Sequence, residues 1–173
     1  NYITPEYFRA LRIPVFGGRT FDERDTATSA PVAIVSQTFV RQYLKGQSAI
    51  GIRVVTGKVT REVVGVVGAG QQRPGWDSSA PLTQQPAMYL PATQTSGPTF
   101  QMVHTWFAPK WVVRGAGPRE SLMAGMRTAI EQVDPLLPFK SFQSLNEIRD
   151  RTLTSQRLQA VLLGSLAGLA LVL

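Results

Sequence analysis

Residues 31–68 read PVAIVSQTFVRQYLKGQSAIGIRVVTGKVTREVVGVVG, and the order of patterns within them decides the fold class. Pro31 to Val35 is a short apolar strand. Ser36 then offers an N-cap hydroxyl to a helix through Thr38, Phe39, Val40, Tyr43 and Leu44, which stops near Gly46. From Ile52 to Val55 and from Arg61 to Val67 the β-branched residues are dense, with Thr56-Gly57-Lys58 between them as a hairpin turn. Gly65 inside the second of these strands predicts a bulge or a close backbone approach. A strand, a helix and a hairpin in so short a span point to an α+β domain.

Outward toward the N-terminus, Thr4-Pro5-Glu6 reads as N-cap, first-turn proline and first-turn acid of a short helix with Tyr7, Phe8 and Leu11 on its apolar side. Asn1 to Leu11 lacks the basic region and apolar core of a secretory signal. Gly17-Gly18-Arg19-Thr20-Phe21 is a turn-rich connection. Toward the C-terminus, no residue from Ser78 to Pro109 is charged, and prolines stand at 81, 86, 91, 98 and 109. That density of proline predicts neither a helix nor a central strand there, only a brief edge strand at Met88-Tyr89-Leu90 in a long loop that presents Trp106 and Phe107. Lys110 to Arg114 has strand character around Trp111-Val112-Val113.

Pro118 to Val133 carries Leu122, Met126, Ala129, Ile130 and Val133 at helical spacing, ended by Asp134-Pro135. Pro138 to Phe142 is a further strand candidate. Ser144-Leu145-Asn146-Glu147 has the capping-box pattern, in which serine and glutamate satisfy each other's amides. No proline follows, and one continuous helix toward the chain end is expected. Leu158 to Leu173 holds only Gln159 and Ser165 as polar residues. A spanning helix needs about 20 apolar residues, so 153–173 is expected to be the start of a transmembrane helix that continues past Leu173. Gly164 and Gly168 give it the small-residue spacing suited to packing against another helix in lipid.

The chain has 173 residues, 43% of them hydrophobic, which suits one folded domain or two small lobes. Charged residues are only 17%, with 15 glycines and 12 prolines marking many turns. No cysteine is present, which excludes disulfides and thiolate metal sites. Eighteen Lys+Arg against eleven Asp+Glu give a net charge of +7. The basic residues are scattered singly, without the interleaved aromatics of a nucleic-acid platform, so no nucleic-acid partner is expected.

The search for chemistry finds no catalytic, cofactor-binding or metal-binding set. The phosphate loop GxxxxGK[ST] is absent. Gly65-Val66-Val67-Gly68-Ala69-Gly70 does not fit GxGxxG, and Pro74 and Gly75 prevent a following helix, so it reads as a tight turn leaving a strand. Asp22, Glu23 and Asp25 lack calcium-loop spacing and read as a solvated loop. His104 is the only histidine, and no GxSxG elbow is present.

Read in order, these segments resemble the MacB-like periplasmic core domain of FtsX-like ABC transporter permeases. Tyr7-Phe8-Arg9-Ala10-Leu11, then Gly18-Arg19-Thr20-Phe21 and Asp25, is similar to that family's YFxxL…GRxF…D stretch. Val32-Ala33-Ile34-Val35, the helix to Tyr43-Leu44, Ile50-Gly51, Val63-Val64-Gly65-Val66-Val67, Tyr89-Leu90-Pro91, Val112-Val113-Arg114 and Asp134-Pro135 continue the series. Arg12 stands where the family pattern has glycine, and Ala49 where a proline often precedes the Ile-Gly turn.

The resemblance implies a two-lobed periplasmic domain leading into a transmembrane helix: a porter-like lobe from 1–16 and 110–152, with an inserted β-rich lobe at 17–109. It implies coupling of ATP hydrolysis by a cytoplasmic ABC ATPase to export or periplasmic work, in a bacterial inner membrane. A second permease copy and a periplasmic adaptor protein are the implied partners, and Trp106 with Phe107 is the expected contact. The alternative is a soluble ligand- or protein-binding α+β module with a buried C-terminal helix.

Overall fold

The computed structural model describes residues 1–72, 83–106, 110–135, 142–148, 161 and 165. The chain divides into two compact units, Asn1–Arg114 and Gly115–Leu173.

The first unit is a mixed sheet. Its strands are β1 (Tyr2–Ile3), β2 (Val15–Gly18), β3 (Val32–Ser36), β4 (Arg53–Thr56), β5 (Val59–Val67) and β8 (Met88–Pro91), joined by helices α1 (Tyr7–Leu11) and α2 (Gln37–Tyr43). The order is β1-β8-β3-β5-β2, with β4 also on β5. β3 and β5 run parallel, because α2 and β4 carry the chain back between them; β2, β4 and β8 pair antiparallel with their neighbours in this central pair. β6 (Gln71–Gln72) and β7 (Thr83–Gln84) form a separate two-stranded ribbon.

β3 is buried at every position, as a strand covered on both faces should be. β5 instead alternates between buried and less buried positions from Arg61 to Val67, so one face carries the core. Ile3, Phe8, Phe21, Val32, Ile34, Val67, Ala87 and Tyr89 form one cluster. Phe8 and Tyr89 meet edge-to-face with centroids 5.0 Å apart, a favoured aromatic geometry. A second cluster joins Val35, Ala49 and Val63, with Phe39 and Val40 of α2 packed on it. Residues 1–16 thus share a sheet and a core with 17–91.

Gly65 sits at the register shift between Ala33 and Ile34, and a Cβ there would lie 2.2 Å from the Arg19 carbonyl oxygen. The close approach expected from sequence is therefore present. Ser36 caps α2 by accepting from the Phe39 amide at 3.2 Å. At α1 the expected cap is corrected: Glu6 is the N-cap residue and makes no side-chain cap, while the Thr4 carbonyl accepts from Tyr7 N–H.

Two further expectations are overturned between 78 and 109. β8 is no edge strand, since β1 and β3 flank it; its proline is the last residue of the strand, where a missing N–H costs least. A helix, α3 (Gly97–Trp106), forms despite Pro98. That proline lies in the first turn, where its absent N–H needs no partner, and Ser96 opens the helix by accepting from Phe100 N–H at 2.8 Å through its carbonyl. Lys110 to Arg114 is not a strand. Its β-branched residues have no ladder partner among the described residues, and strand propensity counts only where one exists.

In the second unit α4 (Arg119–Val133) follows the periodicity expected of it and ends at Asp134, whose backbone is extended ahead of Pro135. It has no buried residue. Ser144 and Glu147 form the expected capping box: Glu147 N–H donates to Ser144 Oγ at 3.1 Å and Ser144 N–H to Glu147 Oε2 at 3.0 Å. The strand expected at Pro138 to Phe142 and the helix expected at 153–173 lie almost wholly outside the described residues. Among the described residues no helix is long and apolar enough to cross a membrane.

Candidate functional site

One stretch of the family resemblance, Gly18 to Asp25, forms a single loop. Gly18 starts it with a φ of +69°, and a Cβ there would meet the Val64 carbonyl at 2.1 Å. Only glycine fits that turn. Arg19 N–H then donates to the same carbonyl at 2.9 Å, which aims its side chain back across the loop. The guanidinium grips Asp25 in a two-pronged pair, with Nη1 to Oδ2 at 2.7 Å and Nη2 to Oδ1 at 2.8 Å. Asp25 Oδ2 also accepts the Asp22 N–H at 3.0 Å, and the Thr93 hydroxyl donates to the Asp25 carbonyl. Phe21, between them, is buried in the main core cluster.

Asp25 is 4% exposed, so the solvated loop expected around Asp22, Glu23 and Asp25 is corrected at this residue. The Arg19 hydrogen bond holds its carboxyl below the usual carboxylate range, against the opposing effect of burial. Asp22 is held low as well, chiefly by hydrogen bonds from Arg24. Among the described residues no group of histidine, cysteine or acidic side chains could hold a metal ion. The chemistry of this loop is a pin that ties the start of the sheet to the segment after β8.

A second pin, invisible in the sequence pattern, is Gln94. Its Oε1 accepts Val32 N–H at 3.1 Å and Arg61 Nη1 at 3.0 Å, while its Nε2 donates to Ser29 Oγ and the Ala30 carbonyl, both at 3.0 Å. Buried Arg61 also donates to Thr56 Oγ1 at 3.1 Å. A glutamine in a polar stretch gives no advance signal of such a role, because its four partners come from two distant segments, 29–32 and Arg61.

Of the expected contact residues, Trp106 ends α3 and is 78% exposed. Phe100 and Met102 on the same helix are also largely exposed. Phe107, Gly164 and Gly168 lie outside the described residues. Trp106 thus stands at the end of a helix rather than on a loop.

Comparison with known proteins matches this arrangement to one family. Residues 1–132 match the MacB-like periplasmic core domain, a stretch that includes the 18–25 pin, the sheet and α3. Over 101 residues the chain is 31% identical to the macrolide export ATP-binding/permease protein MacB 1/2 of Paracoccus denitrificans, covering 56% of this chain and 15% of that protein. The chain therefore spans a small part of the relative it matches. The periplasmic region of MacB from Actinobacillus actinomycetemcomitans superposes with a TM-score of 0.51 at 14% identity, over 76% of this chain and 55% of that one. The extracellular domain of the noncanonic ABC-type transporter YknZ from Gram-positive bacteria superposes at 0.41 with 24% identity, over 63% and 46% of the two chains. The match over residues 1–132 shows that the chain belongs to the MacB-like periplasmic core domain family of ABC transporter permeases.

Proposed function

We propose that this chain is the extracytoplasmic part of a permease that couples ATP hydrolysis in a cytoplasmic ABC ATPase to export or to mechanical work outside the membrane. The observation that carries this reading is the family match over 1–132. In this reading the protein sits in a bacterial inner membrane with this domain facing the periplasm or the cell exterior. It works as a pair of permease copies, and Trp106 with Phe107 meets a neighbouring permease, an adaptor or the cargo. The chain itself neither binds nor turns over ATP.

Motion reaches the domain through the helix that the Ser144–Glu147 box opens, which continues as a rod into the apolar 153–173 segment, where Gly164 and Gly168 pack on another membrane helix. The two-lobed division belongs to the same proposal. The separation of the chain into two compact units near residue 114 supports a boundary there, while the pairing of β1 with β8 and of β2 with β5 favours grouping 1–16 with the sheet-bearing lobe.

The test uses the full-length transporter in nanodiscs. Amide hydrogen exchange across 1–132 is expected to change between nucleotide-free and ATP-trapped states, and two glycines inserted after Thr154 are expected to abolish that change while ATP turnover persists. An exchange pattern that ignores nucleotide, or a change that survives the insertion, overturns the rod.

A further inference from the structure

Two of the clefts on the sheet unit differ in the kind of charge they carry. The larger, about 760 Å³, is lined by Glu6, Arg9, Asp22 and Arg24 among others. Its arginines are already neutralised, Arg9 by Glu6 at 2.6 Å and Arg24 by Asp22 at 2.8 Å. The smaller, about 440 Å³, is lined by Arg12, Phe16, Gln37, Arg41, Gly68 and Gln84 among others. Among the described residues neither Arg12 nor Arg41 is in an ion pair, and Arg41 has only the Thr38 hydroxyl, at 3.4 Å.

The position of this second cleft is a consequence of the topology. Parallel strands β3 and β5 finish together, with Ser36 opposite Val67. Gln37 follows the first and Gly68 the second. β2 runs antiparallel to β5, with Val15 opposite Val67, which brings Arg12 and Pro14 to the same end, and Gly68 N–H donates to the Pro14 carbonyl at 2.8 Å. Crevices outside the carboxyl ends of parallel strands are the usual ligand positions in open α/β sheets. Arg12 itself holds a left-handed backbone, φ 55° and ψ 39°, which disfavours a side chain. A guanidinium kept at that price in backbone strain, lining the same cleft as a second guanidinium that has no ion pair among the described residues, points to an anionic ligand.

β2 supplies the other half of the recognition. It lies at the end of the strand order and pairs only with β5 among the described residues, and Phe16 on it is 59% exposed. An exposed strand edge recruits an extended chain through main-chain hydrogen bonds. We infer that the Arg12–Arg41 cleft and the β2 edge together bind an extended polypeptide segment that places carboxylate side chains in the cleft and apolar side chains on Phe16. A free anion would use the arginines alone and leave the edge and Phe16 without a role. The inference does not depend on coupling to ATP.

The experiment titrates the purified chain with a dye-labelled peptide alternating Glu and Val, and with its Gln-for-Glu counterpart, read by fluorescence anisotropy. The Glu peptide is expected to bind about tenfold tighter, and Arg12→Gly with Arg41→Gln to remove about that factor, the scale of two exposed ion pairs. Arg12→Gly suits the left-handed turn, so a folding defect does not mimic the result. Arg53→Gln with Lys58→Gln removes the same charge at the β4–β5 hairpin, toward the end of β5 opposite the cleft, and is expected to change affinity less than about twofold, since charges at that distance are screened. Bound Glu peptide is also expected to protect β2 amides from exchange. Equal affinity for the two peptides, equal loss in the two double variants, or full displacement by inorganic phosphate without β2 protection overturns the inference, the last in favour of a free anion.

Discussion

The two units use the same devices at different depth. Each has a serine N-cap and an arginine–carboxylate pair. In the sheet unit Ser36 is fully buried, and its hydroxyl accepts two amides, Phe39 N–H and, at 2.9 Å, Ala87 N–H from the segment ahead of β8. In the helical unit the Ser144 hydroxyl accepts from Glu147 N–H, three residues on. Arg19 grips an Asp25 that is 4% exposed, whereas Arg119 pairs with a Glu147 whose side chain is 41% exposed. The lesson is that burial, not the motif, sets what a cap or an ion pair contributes. Ser36 joins segments 51 residues apart while Ser144 serves a local turn, but the ion pairs run the other way, Arg19 and Asp25 lying 6 residues apart and Arg119 and Glu147 28.

The sharpest way to break this contrast is to remove one large apolar side chain from each unit. Phe8→Ala is expected to cost about 3–5 kcal/mol, the range for a large buried aromatic, while Ile130→Ala on the partly exposed face of α4 costs about 1 kcal/mol or less by loss of a little apolar area. Urea unfolding followed by circular dichroism measures both, and equal losses would remove the distinction between the units.

The paired serines come next. Ser36→Ala leaves two buried amides without an acceptor and is expected to cost about 2–3 kcal/mol, against about 0.5–1 kcal/mol for Ser144→Ala, an ordinary cap. Similar midpoints for the two variants would show that the second amide on Ser36 contributes nothing.

The pinned loop sharpens the comparison through pH. Asp25→Asn is expected to cost about 2 kcal/mol at neutral pH, the scale of hydrogen bonds to a charged group. Because Arg19 depresses the folded carboxyl below its unfolded value of about 3.9, the stabilisation is fully present well above that value and drains away as pH falls through it toward the folded pKa. Stability measured between pH 7 and pH 3 should therefore slope downward below about pH 4.5 in the parent and less so in Asp25→Asn. An unchanged slope would mean that Asp25 has the same acidity in both states.

The smallest expected effect has the opposite sign. Arg12→Gly relieves a left-handed residue at the end of α1 and is expected to raise stability by about 0.5–1 kcal/mol, the left-handed penalty less the entropy of glycine. A loss would show that the Arg12 side chain contributes more to the fold than its backbone costs.

Much of this was legible from local chemistry. The Ser36 cap, the Gly57 hairpin, the close approach at Gly65, the α4 periodicity and the Ser144–Glu147 box all depend on residues within a few positions of one another. So did the family pattern at 18–25, although its physical role as an Arg19–Asp25 pin did not follow from it. The errors cluster where partners are distant. Met88 to Leu90 was expected at an edge because nothing local says that β1 returns to cover it. Lys110 to Arg114 was expected as a strand because propensity cannot report a missing partner. Pro98 was counted against a helix that it in fact helps to begin.

By itself, then, the sequence determined the α+β class, the elements between 31 and 68, the helix after Pro118 and the family, because periodicity, caps and turn residues act over one or two turns of chain. Only the tertiary structure decided that Asp25 is buried, that Gln94 joins three segments, that β8 is central and that Arg12 and Arg41 meet in one cleft. Those facts depend on which strands lie side by side, and strand pairing is settled by burial of the whole sheet rather than by any stretch within it.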